Sequence, residues 1–274
     1  LRGCIPPVNH KHPHWTHARP PVSLDAFHLY HPRDFMTDRF GPRGVFAILI
    51  PQQNSTQQPE YDAMRIDGVS HQIYRFELES QADVAGAVLD AIPGAHGCWP
   101  DMIIGGNSLE MRTWSIARQA RYREEFAERA GDVPFITATD AMEAALRKLG
   151  AQRIAIWVPL YEETLRSTVG YYEELGFEVP SSACLGIEHP VNSINIELTD
   201  VEAAFEKLDR DDIDVLVHIG ASIGIGDMIE PMEQKFGKPF LSVNQTTYWY
   251  ALRTHGITDP IAGFGSLVQE TSIT

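Results

Sequence analysis

Short apolar runs alternate with longer amphipathic segments along most of this chain. The alternation starts at Gly44 with GVFAILIP, continues through a helical segment near residues 57 to 66, and reaches a second apolar run in HQIYRFEL. It then passes through SQADVAGAVLDAI, DMIIGG and the long segment SLEMRTWSIARQARYREEFAERAG. Because strands that alternate with helices are typical of βαβ units, the pattern predicts a parallel sheet covered by helices.

The second half of the chain repeats this rhythm. PFITA precedes the helical segment TDAMEAALRKLG, in which Thr139 or Asp140 can act as the N-cap, and four further strand-helix steps follow. We expect helices to end at five glycines, where a left-handed backbone favours that residue: Gly131, Gly150, Gly176, Gly237 and Gly256. About eight strands in two sets of four predict an α/β fold of two similar halves. We assign no structure to the polar tail after Thr258.

The predicted halves span residues 41–137 and 138–243, and we expect residues 244–274 to pack back on the first half. Residues 1–40 combine Pro and His at high density with no helical or strand period. The run HKHPHWTH is a possible metal-binding tract. Its prolines, and the lack of a carboxylate close by, favour instead a packed irregular arm that could lie across a subunit boundary.

Composition excludes several classes of function. The formal net charge is -15 at pH 7, which disfavours nucleic-acid binding because phosphate contacts need clustered Lys and Arg. The longest apolar runs have the length of strands, so we expect no membrane span and a cytoplasmic protein. Cys4, Cys98 and Cys184 are widely spaced, which argues against a disulfide framework or a cysteine zinc site.

Four predicted strands are followed by polar residues, and ligands of open parallel sheets bind beyond such strand ends. The four stretches are PQQNST, GGNSLE, PLYEE and HIGAS. The last continues into the glycine-rich turn HIGASIGIGD, whose glycine spacing matches neither a dinucleotide fingerprint nor a phosphate loop. A carboxylate site, or glycines that only let a helix approach the sheet, remain the alternatives for this turn.

These four stretches in this order, together with SVNQTTYWYALRTHGI, resemble the aspartate/glutamate racemase superfamily. Within it, they are most similar to the maleate cis-trans isomerase and arylmalonate decarboxylase branch. The resemblance covers residues 43 to 257. It implies two four-stranded α/β halves related by a pseudo-twofold axis, an active site in the cleft between them, no cofactor or metal, and a small carboxylate or dicarboxylate substrate. We also expect a homo-oligomer.

The resemblance places the two catalytic cysteine positions of the superfamily on Gly106 and Gly220, so this chain has neither thiol. In the decarboxylase branch the first position is also glycine, and hydroxyl residues after it hold a carboxylate. Gly106, Asn107 and Ser108 are similar to that arrangement. The other two cysteines of the predicted halves are expected to be core or surface thiols.

The resemblance also suggests substrate contacts. Asn54 matches an asparagine that binds a carboxylate, and the two hydroxyl residues after it are able to cap the next helix. Tyr161 matches the tyrosine of a Pro-Tyr pair, although one extra residue separates the two here. Asn244 and Gln245 match a late Asn-Gln pair that either borders the cleft or caps a helix. At the glycine-rich turn, the main chain of Gly220, Ala221 and Ser222 would bind the anion, with helix capping as the alternative for Ser222.

Without a thiol, another group must carry protons. Glu110 follows Ser108 by two residues, and partial burial could raise its pKa toward neutrality, although NSLE also fits a helix capping box. His218 is the second candidate, because imidazole titrates near working pH, but strand alternation could point it into a helix-packing layer.

We therefore predict a cofactor-independent decarboxylase or isomerase that acts through an enediolate-like intermediate. Donors from the turn and the other strand ends would stabilise the developing charge. A hydrolase or hydratase that uses a water activated by Glu110 is one alternative. A non-catalytic carboxylate-binding relative is the other.

Overall fold

The computed structural model describes residues 38–78, 84–105, 114–187 and 190–274, and these fall in one compact unit, Thr37–Thr274. Within the described residues, eight β-strands alternate with eight α-helices. The strands are β1 (Gly44–Pro51), β2 (Val69–Phe76), β3 (Met102–Gly105), β4 (Phe135–Thr137), β5 (Arg153–Val158), β6 (Glu178–Cys184), β7 (Val215–His218) and β8 (Phe240–Ser242). The helices are α1 (Gln57–Met64), α2 (Val84–Ala95), α3 (Ile116–Ala130), α4 (Ala138–Lys148), α5 (Glu162–Glu174), α6 (Leu198–Leu208), α7 (Ile229–Phe236) and α8 (Val243–Thr254).

The strands form two separate four-stranded sheets, and every pairing is parallel. The order is β2-β1-β3-β4 in the first sheet and β6-β5-β7-β8 in the second. Each strand number of the second sheet is the corresponding number of the first plus four, so the two halves share one topology. The predicted fold of two similar parallel α/β halves is confirmed.

Apolar side chains pack in three layers. In β1, Phe46, Ile48 and Ile50 face an inner cluster, whereas Ala47 and Leu49 face an outer one. The inner cluster joins both sheets to α1, α4, α5 and α8. The outer clusters lie under α2 and α3 on the first sheet, and under α6 and α7 on the second. Because both faces of each sheet are covered, the central strands read as continuous apolar runs.

The helix that follows the last strand of each half, α4 or α8, packs against its counterpart. Both contribute buried side chains to the inner cluster. Although α8 comes last in the chain, it also contacts α1, β3 and β4 of the first half. This places the start of α8 beside elements of both halves. No helix of the described ranges is long and apolar enough to cross a membrane.

Two predicted helix starts were wrong. The long helix α3 begins at Ile116 rather than near residue 108, because the Ser115 hydroxyl accepts a hydrogen bond from a main-chain N–H in its first turn. Helix α4 is capped by Thr137, whose side chain accepts from the main-chain N–H of Asp140, and not by Thr139 or Asp140. The predicted helix ends are confirmed, since all five glycines have positive φ angles.

The tail after Thr258 is structured, which corrects the expectation that it has no structure. It contains a 3-10 turn at Leu267–Gln269, and Leu267 and Val268 have no exposed surface. The guanidinium of Arg253 in α8 donates to the carbonyl oxygens of Val268 and Glu270. The polar character of the tail concealed two residues that complete the inner cluster.

We expect Leu267→Ala to lower the free energy of unfolding by about 2–5 kcal/mol, because it removes a fully buried side chain and leaves a cavity. Leu198→Ala is the matched control, since Leu198 is 38% exposed and its loss should cost no more than about 0.5 kcal/mol. Urea denaturation of both variants measures the difference. Equal costs would show that the tail does not contribute to the core.

Candidate active site

The described part of the predicted site consists of the loops after β1, β5 and β7 and the start of α8. The predicted site residues Gly106, Asn107, Ser108 and Glu110 fall within residues 106–113, which lie outside the described residues. The other predicted residues lie at carboxyl ends of strands or at the start of α8. Their contacts show which of them come together.

Asn54 is buried and joins the two halves. Its Oδ1 accepts hydrogen bonds from the main-chain N–H groups of Thr56 and Gln57, at 3.0 and 2.9 Å. Thr56 occupies the N-cap position of α1, as predicted, but its hydroxyl makes no capping hydrogen bond, and the Asn54 side chain supplies the capping oxygen instead. Its Nδ2 donates across the cleft to the carbonyl oxygen of Ala221 at 3.1 Å. One hydrogen of this amide is then left for a ligand.

The Ala221 carbonyl is the point where three polar side chains converge. Besides Asn54, it accepts from Thr56 Oγ1 at 3.1 Å and from Asn244 Nδ2 at 3.2 Å. Two of these donors belong to the loop after β1, and the third belongs to the first turn of α8. They fix the turn after β7, defined here as residues 219–226, against the first half of the fold.

The same turn holds a carboxylate from the protein itself. Glu60 Oε1 accepts from the main-chain N–H groups of Ile225 and Gly226, at 2.8 and 2.6 Å. Its Oε2 accepts from Asn244 Nδ2. The prediction that this glycine-rich stretch binds an anion did not include Glu60, which belongs to α1 of the other half. The available signal was the spacing of Glu60 from Gln57, which puts it beside the buried face of α1.

Burial raises the pKa of Glu60, because desolvation disfavours its charged form. The hydrogen bonds from Asn244, Gly226 and Ile225 oppose this shift, and the negative charge of Asp227 adds to it. The half-buried carboxylate thus accepts three hydrogen bonds, and it has no cationic partner among the described residues.

Gly220, Ala221 and Ser222 follow the carboxyl end of β7, and their N–H groups are the predicted anion donors. They donate to no acceptor in the described part of the chain, whereas the N–H of Ile223 closes a turn onto the Gly220 carbonyl at 3.1 Å. Successive main-chain N–H groups in a turn are able to bind anions in proteins. This part of the turn is separate from the N–H groups that hold Glu60.

His218 lies on the outer face of the second sheet. Its ring stacks on Trp157 with 5.3 Å between the ring centroids, and it has no exposed surface. Neither ring nitrogen has a hydrogen-bond partner in the described residues, and burial lowers its pKa to about 3. The predicted role of His218 as a proton carrier is therefore corrected, because the imidazole is enclosed and neutral at working pH.

Gly220 is packed too tightly to carry a side chain. A Cβ atom there would lie 2.7 Å from the Pro159 ring and 3.0 Å from His218 Nε2. Tyr161, two residues after Pro159, is 42% exposed at the N-cap of α5. One extra residue separates Pro159 from Tyr161. Pro159 packs over Gly220, and Tyr161 is exposed.

The other residues considered in the sequence analysis are the Asn244–Gln245 pair and the two cysteines. Asn244 is buried and gives both amide hydrogens to Glu60 and Ala221, while Gln245 accepts from the Ser242 N–H in a capping box that starts α8. Cys184 ends β6 and packs on the inner cluster, and Cys98 packs on the outer one. Among the described residues, no three His, Cys, Asp or Glu side chains cluster as metal ligands.

The two α/β halves have the same topology, and polar contacts join them around the turn after β7. The family model of arylmalonate decarboxylase matches residues 106–268, which is more than half of the chain. The chain belongs to the arylmalonate decarboxylase family.

Known relatives agree with this assignment. The chain is 25% identical over 189 residues to maleate isomerase of Nocardia farcinica, covering 68% of this chain and 73% of the relative. A maleate-bound, cysteine-to-alanine variant of the maleate isomerase of Pseudomonas putida S16 superposes with a TM-score of 0.73 at 18% identity, covering 84% of this chain and 99% of that one. Arylmalonate decarboxylase superposes with a TM-score of 0.66 at 22% identity, covering 82% and 99%. The resemblance to this branch is confirmed.

Gly220→Ala should lower the free energy of unfolding by about 1–3 kcal/mol, because the added methyl group meets the Pro159 ring. Pro159→Ala removes the two ring atoms involved, so the double variant should regain about 1 kcal/mol of this loss. Denaturant unfolding of the four proteins gives the coupling energy. Gly224→Ala is the control in the same turn, since its Cβ would lie 3.6 Å from the nearest atom. A coupling energy of zero would contradict the packing described here.

The acid stability of the protein should depend on His218. Its pKa falls from 6.5 to about 3 on folding, so the neutral ring stabilises the fold fully above pH 6.5. This stability is lost as the pH falls through the window from 6.5 to 3, by roughly 1.4 kcal/mol per pH unit. His218→Leu should remove this part of the slope, while His71, whose pKa burial also lowers, keeps its own. Equal slopes for variant and wild type between pH 7 and 4.5 would refute the assignment.

Proposed function

We propose that this protein is a cofactor-independent enzyme that binds a small carboxylate or dicarboxylate and acts on it by decarboxylation or isomerisation. This proposal is supported mainly by the successive N–H groups of Gly220, Ala221 and Ser222 beyond the end of β7, which have no acceptor among the described residues. Membership of the arylmalonate decarboxylase family supports the enzyme class. The maleate bound in a structural relative supports a small carboxylate as ligand.

The three N–H groups would bind a substrate carboxylate and stabilise its enediolate-like form. When the bond to carbon dioxide or to a proton breaks at the α-carbon, its electron pair moves onto the remaining carboxylate. Fixed main-chain donors stabilise this charge without reorganisation, which is the largest single contribution in many enzymes. Gly106, Asn107 and Ser108 would supply further donors from the loop after β3.

Some side chains around the turn would bind the ligand, and others hold the turn in place. Asn54 keeps one amide hydrogen for the substrate, whereas Asn244 has given both of its hydrogens to Glu60 and Ala221. The Asn244 Oδ1 has no partner in the described residues, so it could accept a hydrogen bond from a substrate hydroxyl. Tyr161 would contact the substrate from the exposed rim. Ser222 would contribute its N–H group.

Glu110 is the proposed proton carrier. The family likeness leaves glycine at both cysteine positions, and the enclosed ring of His218 does not reach a substrate. Glu110 would return a proton to the α-carbon of the enediolate, so that the carbanion becomes a C–H bond and the carboxyl group becomes carboxylate. After decarboxylation, water would reprotonate Glu110. Where a C–H bond breaks at the α-carbon instead, the Glu110 carboxylate would first accept that proton and then return one.

A non-catalytic carboxylate-binding protein is the second candidate. It is favoured by Gly220, which is closed in by Pro159 and leaves no room for a nucleophile. Such a protein would bind malonate or maleate without changing either compound.

Incubation in deuterated water separates the two candidates. We expect the wild-type protein to release carbon dioxide from an arylmalonate, to form fumarate from maleate, or to exchange an α-proton, as followed by NMR. Glu110→Gln should lower this turnover by about 100-fold or more, since positioned acid-base groups contribute about 10²–10⁴-fold.

Glu128→Gln on the exposed side of α3 is the matched control and should keep full turnover. Unchanged turnover in Glu110→Gln would remove Glu110 from the mechanism. Binding of malonate or maleate without any of the three reactions would favour the binding protein.

A further inference from the structure

Glu60 is a buried acid that the proposed chemistry does not use. It projects from α1 of the first half into the turn after β7 of the second half, across 165 and 166 positions of sequence. Its carboxylate takes three hydrogen bonds, two from main-chain N–H groups and one from Asn244. A carboxylate that crosses between the halves in this way fixes their contact at the candidate site.

The hydrogen bonds of Glu60 determine the orientation of Asn244. Glu60 Oε1 already accepts two bonds, and Oε2 takes one hydrogen of the Asn244 amide. The second hydrogen of that amide then points at the Ala221 carbonyl. If the amide were turned over, Oδ1 would face both a carboxylate and a carbonyl, so the charge of Glu60 selects one orientation.

The turn is shaped to admit this carboxylate. A Cβ atom on Gly226 would lie 3.1 Å from Glu60 Oε1 and 2.8 Å from the Phe264 ring. Glycine at this position therefore lets the main-chain N–H reach Glu60. Gly224 lies against Thr56 and Glu60 at ordinary contact distance.

Glu60 also makes one end of the turn less favourable for an anion than the other end. Its carboxylate accepts hydrogen bonds from the N–H groups of Ile225 and Gly226, and Asp227 adds a second negative charge next to them. An incoming anion is repelled from that end of the turn. The N–H groups of Gly220, Ala221 and Ser222 remain open to it.

We propose that Glu60 is a positioning residue of the active site: it locks the turn and Asn244 so that the N–H groups of residues 220–222 receive one substrate carboxylate, and it keeps anions away from Ile225 and Gly226. This inference rests on the proposed function for the nature of the ligand. Glu60 acts through the turn and Asn244 and does not touch the substrate.

Glu60→Gln tests the proposal with little change in shape. The new amide oxygen can keep the two main-chain hydrogen bonds, but the amide nitrogen faces the nitrogen of Asn244. Asn244 must then turn over and release Ala221. We expect Kd for malonate and maleate, measured by calorimetry at pH 8, to rise by about 10- to 100-fold, the loss typical of charge-assisted hydrogen bonds. Where turnover is detectable, KM should rise more than kcat falls.

Asn244→Ala in the Glu60→Gln background should weaken binding little further. In the single variant Asn244 has already released Ala221, so removing its amide costs no additional contact to that carbonyl. Glu230→Gln is the control, because Glu230 is an exposed acid in the first turn of α7 and its loss should leave Kd unchanged.

A measurement without ligand tests the burial of Glu60 separately. Because folding raises its pKa above 4.5, Glu60 favours the fold at low pH, and this contribution is lost as the pH rises through its raised pKa. The melting temperature of the wild type, relative to Glu60→Gln, should fall over that range. A difference in melting temperature that does not change with pH would show that folding does not raise the pKa of Glu60.

The outcomes for the two proposals are distinct. If wild type binds malonate or maleate and Glu60→Gln binds it equally well, the positioning role is refuted while the proposed function stands. A wild type that binds neither compound overturns both. Weaker binding in Glu60→Gln, with little further loss in the double variant, supports the positioning role, and additive losses contradict it.

Discussion

The contact between Glu60 and the turn after β7 is the constraint on which the candidate site depends. A carboxylate without a cationic partner is costly to bury unless its lone pairs are satisfied, and here Ile225, Gly226 and Asn244 satisfy them. These donors come from the second half and from α8, while the acid comes from α1. The two halves must therefore meet in one register for the acid to be buried at all. Apolar packing between them could tolerate small shifts, but this polar contact could not.

That register also determines what the turn can offer a ligand. The Ala221 carbonyl is held by three donors, which fixes the peptide that follows it. The N–H groups around that peptide consequently point in a set direction before any ligand arrives. A preorganised donor set costs little when charge develops on a bound carboxylate, which is why a small enzyme without cofactors can use main-chain groups. Part of the support for such a site comes from Glu60, which acts through the turn and Asn244.

Features that depend on local sequence could be predicted. Buried parallel strands read as apolar runs, and the five glycines that end helices follow from the cost of a positive φ angle, so the two-half fold was accessible from the sequence. Glu60 was not, because its partners are more than 160 positions away and a glutamate in the first turn of a helix looks like an ordinary acid. The tail was missed for a related reason, since Leu267 and Val268 are buried only by contacts with distant elements. Asn54 was recognised as a site residue, but its role as the cap of α1 required the geometry.

Gly220 links these supports to the chemistry. In the superfamily that the chain resembles, the matching position holds a thiol, and a thiol needs open space above the strand end. Here the Pro159 ring and the His218 ring occupy that space, and the unpaired, stacked imidazole adds no proton donor. Replacing a single residue would not recreate a thiol site, because the loop after β5 would have to move as well. In the proposed function, the second half supplies the N–H donors, and α1 of the first half supplies the Glu60 carboxylate that holds the turn in place. Under the proposed function, Glu110, which follows β3 in the sequence of the first half, is the group that would deliver a proton to a bound substrate.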